Sequence, residues 1–156
     1  MKKFFKALVA LPLFVICCFN LVACSTKNSN ISTYYDLVVQ SQAILDKYAD
    51  DIYQNWYDAI YNDKFYGSID LAVASAESDH EDDVKFLEEN DAKIEQSYKS
   101  VRDGKYAENV KSVMDAYSTY YEFVVNVSGS FSIFESNKET YKKQLASELK
   151  KLHFEI

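Results

Sequence analysis

Beyond residue 33 the apolar residues of the chain recur in alternating steps of four and three. Tyr34, Val38, Ser41, Leu45, Tyr48, Ile52, Asn55 and Ala59 fall on one line, the spacing of a helix that buries a seam against a nearly antiparallel neighbour. Leu37, Ile44, Trp56 and Ile60 widen that stripe. A second segment, from Ser68 to about Asp103, places Ile69, Val73, Ala76, Val84, Leu87, Ile94, Tyr98 and Val101 on one side. Inside it, Ser78 followed by Glu81 has the spacing of a capping box, so one helix is expected to end near Glu77 and another to begin at Asp79. Tyr106 to Val127 carries Val110, Val113, Tyr117, Tyr120 and Val124, and a last segment from about Ser132 to Leu152 carries Phe134, Tyr141, Leu145, Leu149 and Leu152.

Glycine punctuates these segments at Gly67, Gly104 and Gly129, and no proline follows Pro12. The predicted fold class is all-α, an antiparallel bundle of about four helices. Strand-like alternation is hard to find, although Val124 to Phe134, VVNVSGSFSIF, is locally β-prone. Shifting the chain by 64 residues pairs Tyr53 with Tyr117, Tyr57 with Tyr121, Asn62 with Asn126, Ser68 with Ser132 and Ile69 with Ile133. Two readings stay open, chance identity and a duplication that would make the bundle two tandem helical hairpins turning near Gly67 and Gly129.

The pattern before residue 34 is different. Lys2, Lys3 and Lys6 precede an uninterrupted apolar run from Ala7 through Phe19, the anatomy of an export signal. With Asn20 interrupting it, the stretch to Ala23 is marginal for a membrane span, which takes about 20 apolar residues. It ends in Leu21, Val22, Ala23 and Cys24. That ending resembles the lipobox of bacterial lipoproteins, in which Leu21 and Ala23 guide the signal peptidase and Cys24 receives a diacylglyceryl group and becomes the first residue. The resemblance covers residues 1–24 and implies a cleaved signal peptide over 1–23, a lipidated cysteine with a Ser/Thr-rich tether over 24–33, and a helical domain over 34–156. Two acyl chains anchor stably where one binds only marginally. The tether, STKNSNIST, has five Ser or Thr among nine residues and reads as coil, about 17 Å long on average and at most about 30 Å. The domain is thus expected on the outer face of the membrane, beneath or within the wall of a Gram-positive envelope.

Charge and cysteine content narrow the function. Of 17 basic residues three precede residue 24 and none of the 24 acids does, so residues 24–156 carry 14 bases against 24 acids, a net charge of −10. Such a domain repels nucleic acid and anionic headgroups and attracts basic or cationic partners. Cys17 and Cys18 lie in the signal peptide and Cys24 would be consumed by lipid, which leaves no disulfide or thiol ligand in the mature form. No cofactor is expected beyond the lipid, and no metal. No Gly-rich phosphate loop, His-Glu-x-x-His, calcium loop or GxSxG elbow occurs, and His80 and His153 are the only imidazoles, so no catalytic residue is assigned.

Two constellations remain. From Glu77 to Asp91 eight of fifteen residues are acidic, with Lys85 the only lysine or arginine. Three readings compete. The stretch is a solvated helix face supported by Glu81 with Lys85, Glu89 with Lys93 and Glu95 with Lys99; or Glu77, Asp79, Asp82, Asp83, Glu88 and Asp91 form a docking face for a basic protein or peptide; or His80 joins Asp79, Asp83 or Glu77 in a metal site. The second constellation is tyrosine: all 13 lie beyond residue 33. Most fit a core lining in which the ring is buried and the hydroxyl finds a partner. Adjacent pairs cannot both face one core, which leaves Tyr35, Tyr57 and Tyr121 as candidate aromatic contacts.

Tyr120, Tyr121, Asn126, Ser128, Gly129, Ser130 and Phe131 are similar to the helix, Ser-Gly-Ser turn, helix pattern of small helical lipoproteins of low-GC Gram-positive bacteria, a family that implies no activity. The plan of lipobox, Ser/Thr spacer and small acidic helical domain is also similar to phage-encoded superinfection-exclusion lipoproteins, which block DNA entry. In that family a Phe-Ser pair lies several residues before Gln-Leu, whereas here Phe131 and Ser132 stand 13 positions before Gln144 and Leu145. The expected function is a membrane-anchored, extracytoplasmic, non-catalytic acidic interaction module at the cell surface. The alternatives are phage exclusion and an envelope small-ligand binder or enzyme.

Overall fold

A computed structural model describes residues 26–156. The expected signal peptide over 1–23, with Leu21 and Ala23, and the lipidation residue Cys24 lie outside the described residues. Five α-helices follow one another: α1 (Thr26–Tyr61), α2 (Ile69–Asp79), α3 (Glu81–Val101), α4 (Ala107–Val125) and α5 (Phe131–Glu155), with a short 3-10 turn over Lys64–Gly67 and no strand among the described residues. The β-prone run from Val124 spans the end of α4, a turn and the start of α5. Val124 and Phe134 are both fully buried there, so packing overrides local preference.

α1 packs against every other helix. Its 36 residues span about 54 Å at 1.5 Å per residue. The seam read from spacing is the seam that is buried: Tyr34, Val38, Ser41, Leu45, Tyr48, Ile52 and Ala59 are all inside, with Asn55 half-buried. Partners along α1 come in reverse order from α2 and α3. Tyr34 meets Tyr98, Ser41 meets Asn90, Lys47 meets Asp83, Asp51 meets His80 and Asn55 meets the Ala72 carbonyl. From α5 they do the same, with Tyr35 on His153, Asp46 on Lys142, Asp50 on Lys138 and Tyr53 on Glu135.

Several polar groups along this seam are matched. Asn90 on α3 donates to Ser41 Oγ at 2.8 Å and to the Leu37 carbonyl at 3.0 Å. Tyr34 donates to the Val110 carbonyl at 3.2 Å, and Tyr120 donates to Asp46 at 2.9 Å. Burial, with Asp46 beside it, raises the Tyr120 hydroxyl well above its ordinary value, so it stays a donor at neutral pH. Lys138, only 8% exposed, pairs with Asp50 and lies 4.5 Å over the Tyr53 ring.

Three expectations are corrected. The Ser/Thr-rich stretch read as a coil tether is already helical, since α1 begins at Thr26. Its one apolar residue, Ile31, is buried and continues the three-and-four register of Tyr34 and Val38, so residues 26–33 rise about 12 Å as helix. The break between α2 and α3 falls at His80, so that α3 begins at Glu81, two residues beyond the expected Asp79, and the Ser78 capping box does not form. Asp83, three residues on, instead meets the His80 ring at 2.7 Å. The 64-residue repeat holds at the helix ends, where Asn62 turns back on Asp58 at 2.6 Å and Asn126 on Glu122 at 2.8 Å. It fails in the turns, because the caps that follow are Ser68 and Ser130, 62 residues apart.

Candidate functional site

The acidic stretch does not present one face. Glu77 and Asp79 are exposed at the end of α2, and Asp82 and Glu88 are exposed on α3. Asp82 and Glu88 stand six positions apart, which places them about 120° from each other around the helix. Asp83 and Asp91 turn toward the bundle and are half-buried. Of the ion pairs expected along α3, Glu95 with Lys99 forms at 3.5 Å.

His80 is 3% exposed and sits where α2, α3 and α1 meet. Its Nδ1 lies 2.7 Å from Asp83 and its Nε2 2.7 Å from Asp51. Both ring nitrogens are thus engaged by carboxylates, one from the helix that follows and one from α1. Tyr48 packs on it with centroids 5.1 Å apart. Among the described residues no group of three or more His, Cys, Asp or Glu side chains stands together as a metal-ion set. Asp51 is 29 residues from His80, so neither local spacing nor composition pointed to it.

Two of these carboxylates titrate with opposite consequences. The hydrogen bond from His80, reinforced by Lys47, holds the Asp83 carboxyl below its ordinary value of 3.8. That contribution is present above 3.8 and is lost as pH falls through the lowered value. Burial pushes the Asp91 carboxyl above 3.8, so its charge opposes folding at neutral pH and that cost disappears on acidification. Asp83→Asn should therefore destabilise at pH 7 by an amount that shrinks below about pH 4. Asp91→Asn should be neutral or stabilising, within about 1 kcal/mol. Urea unfolding at both pH values checks the pair, and a clearly destabilising Asp91→Asn would contradict the reading.

The candidate aromatic contacts divide. Tyr35 is half-buried against His153, with centroids 5.4 Å apart, and Tyr121 is half-buried beside Tyr117. Tyr57 belongs to a larger group at the end of the bundle away from Thr26. It packs on Tyr61 at 4.7 Å, and both approach Phe131, the first residue of α5, at 6.3 and 6.2 Å. Tyr53 stacks on Phe131 at 5.2 Å, and Trp56 and Phe134 lie buried beneath. Among the described residues Trp56 Nε1 and Tyr117 Oη have no hydrogen-bond partner, although Ser41 and Asp91 neighbour that hydroxyl.

The turn after α1 completes this end. Asp58 accepts from Lys64, from Asn62 at 2.6 Å and from Gln54 at 3.2 Å, bonds that hold its carboxyl below the usual range. So stitched, the chain passes through Asp63, Phe65 and Tyr66 at φ of +55°, +54° and +53° before Gly67 at +71°. Left-handed backbone costs a non-glycine residue about 1–2 kcal/mol. The left-handed turn leaves Tyr66 outward, 96% exposed, five positions after a Tyr61 that is 61% exposed. Tyr57 and Tyr61 stand one helical turn apart in the sequence, whereas nothing in it signals Tyr66, whose outward position depends on the backbone of the turn.

At the opposite end a cleft of about 460 Å³ lies between Asn30 and Ile31 on α1, Ser100 and Val101 at the end of α3, and Gly104, Lys105 and Tyr106 beyond it. Lys105 and Tyr106 both line it, and Lys105 donates to the Tyr106 hydroxyl at 3.0 Å. No helix among the described residues is long and apolar enough to cross a membrane. No protein-family model, curated protein or solved structure matches the chain.

Proposed function

We propose that the chain is a lipid-anchored, extracytoplasmic lipoprotein whose acidic helical domain is a non-catalytic module for binding a basic protein or peptide at the cell surface. The observation that carries this reading is the Leu21-Val22-Ala23-Cys24 ending directly after a basic and an apolar segment. A net charge of −10 over residues 24–156 selects the sign of the partner. The domain is an antiparallel bundle of about four helices, α2 and α3 serving as one broken helix, and it reads as two tandem hairpins. The reversed order of partners along α1 supports that arrangement. With α1 beginning at Thr26, the module follows its anchor almost without a spacer.

Cys24→Ser removes the acceptor sulfur and with it both acyl chains. Fractionation of cells expressing this variant should move the protein from the membrane pellet to the soluble or secreted fraction. Retention of the variant in the pellet would show that something other than lipid on Cys24 holds the protein there.

A further inference from the structure

We propose that the end of the bundle built from Tyr57, Tyr61, Tyr66 and Phe131 is the surface on which a cationic segment of a partner protein, rich in arginine and lysine, docks. The inference rests on the module reading above and says where on the domain the partner binds. Tyr61 and Tyr66 are mostly in water, and Ile69 and Ile133, at the starts of α2 and α5, are exposed as well. The apolar seam of α1 thus continues outward as an aromatic surface.

This surface is built by the backbone. A run of left-handed residues at 63, 65 and 66 holds Tyr66 outward, a conformation that persists only when its surroundings enforce it. Here the Asp58 bonds to Asn62 and Lys64 do so. A glycine at position 66 would adopt the same backbone without strain, so the tyrosine is costlier for folding than the alternative and its ring is the feature that distinguishes it.

Charge selects the occupant. Residues 53–71 and 122–135 hold five acids and one lysine, a net charge of −4, and that lysine is engaged by Asp58. Asp63, Asp70 and Glu135 are exposed there. Aromatic faces ringed by carboxylates attract ammonium and guanidinium groups, which gain from ring quadrupole and charge together. The molecule already contains one such contact, with Lys138 Nζ 4.5 Å from the Tyr53 centroid. A second copy of the chain would bring like charge to like charge, and anionic lipid headgroups would be repelled in the same way.

The test uses the full chain in detergent and a fluorescently labelled oligo-arginine peptide, with oligo-glutamate as control, read by anisotropy. The wild type should bind oligo-arginine and not oligo-glutamate. Tyr61→Ser combined with Tyr66→Gly should weaken binding about tenfold, the loss of two cation–π contacts. Tyr66→Gly alone should weaken it about threefold while its melting temperature stays level or rises, because the left-handed strain is relieved. Neutralising Glu77, Asp79, Asp82 and Glu88 as Gln or Asn should change affinity less than about twofold at physiological salt.

Weakening by the four neutralised acids with none from the tyrosine variants would overturn the assignment and leave the module reading standing. Equal weakening by both sets would also overturn it, since charge alone would then be responsible. Failure of the wild type to bind oligo-arginine at all would remove the basic-partner reading together with the inference.

Discussion

Phe134→Ala should destabilise the domain by about 3–5 kcal/mol, the range for emptying a fully packed aromatic site. Phe134 is wholly buried, stacks on Phe123 of α4 at 4.8 Å and meets Trp56 of α1 at 5.6 Å. It is the point where three helices share one ring. Removing it also takes from Trp56 one of two aromatic neighbours, Phe131 being the other, so the aromatic end should loosen before the rest of the bundle. Urea unfolding gives the stability loss, and amide exchange should show protection falling first near residues 53–61 and 131–135. A cost below about 1 kcal/mol would mean that the α1, α4 and α5 interface is not packed as described.

His80→Ala should cost about 2–4 kcal/mol. The ring makes two hydrogen bonds to carboxylates, each of a kind worth about 1.5–3 kcal/mol, and it packs on Tyr48. Two effects temper the sum. The Asp51 and Asp83 side chains are 52% and 31% exposed and can turn to water once the imidazole is gone. Alanine also favours helix at a position that now interrupts one, an offset below about 1 kcal/mol. Asp51→Asn, which removes one bond and keeps the ring, should cost about half as much in the same urea experiment. If His80→Ala costs no more than Asp51→Asn, the ring does not bridge the two carboxylates in solution.

The difference between what the chain reveals by pattern and what it hides follows from contact range. The seam from Tyr34 to Ala59 was legible because a helix buries residues at a fixed period, and the same arithmetic gave the cores of α3, α4 and α5. The start of α1 was not, because the polar composition of residues 26–33 argues for coil and only Ile31 argues for helix. Its burial depends on the rest of the core being there to receive it. Glu77 to Asp91 read as one acidic unit, yet the α-helical turn sends Asp82 and Glu88 to different sides and gives Asp83 to His80.

The aromatic end was half legible. Tyr57 and Tyr61 stand one turn apart in the sequence, but their approach to Phe131 joins residues some 70 positions away. Tyr66 is outward because Asp58 gathers Lys64, Asn62 and Gln54. Nothing about a Lys-Phe-Tyr-Gly turn announces that in advance, since most such turns keep their non-glycine residues at negative φ.

The central claim is that this module works tethered to a membrane through Cys24, and the mass of its mature amino-terminal peptide tests that most directly. Protein isolated from membranes and digested should yield a peptide beginning at Cys24 and carrying a diacylglyceryl group on sulfur. A peptide in which Cys24 is unmodified and still joined to Ala23 would contradict the account.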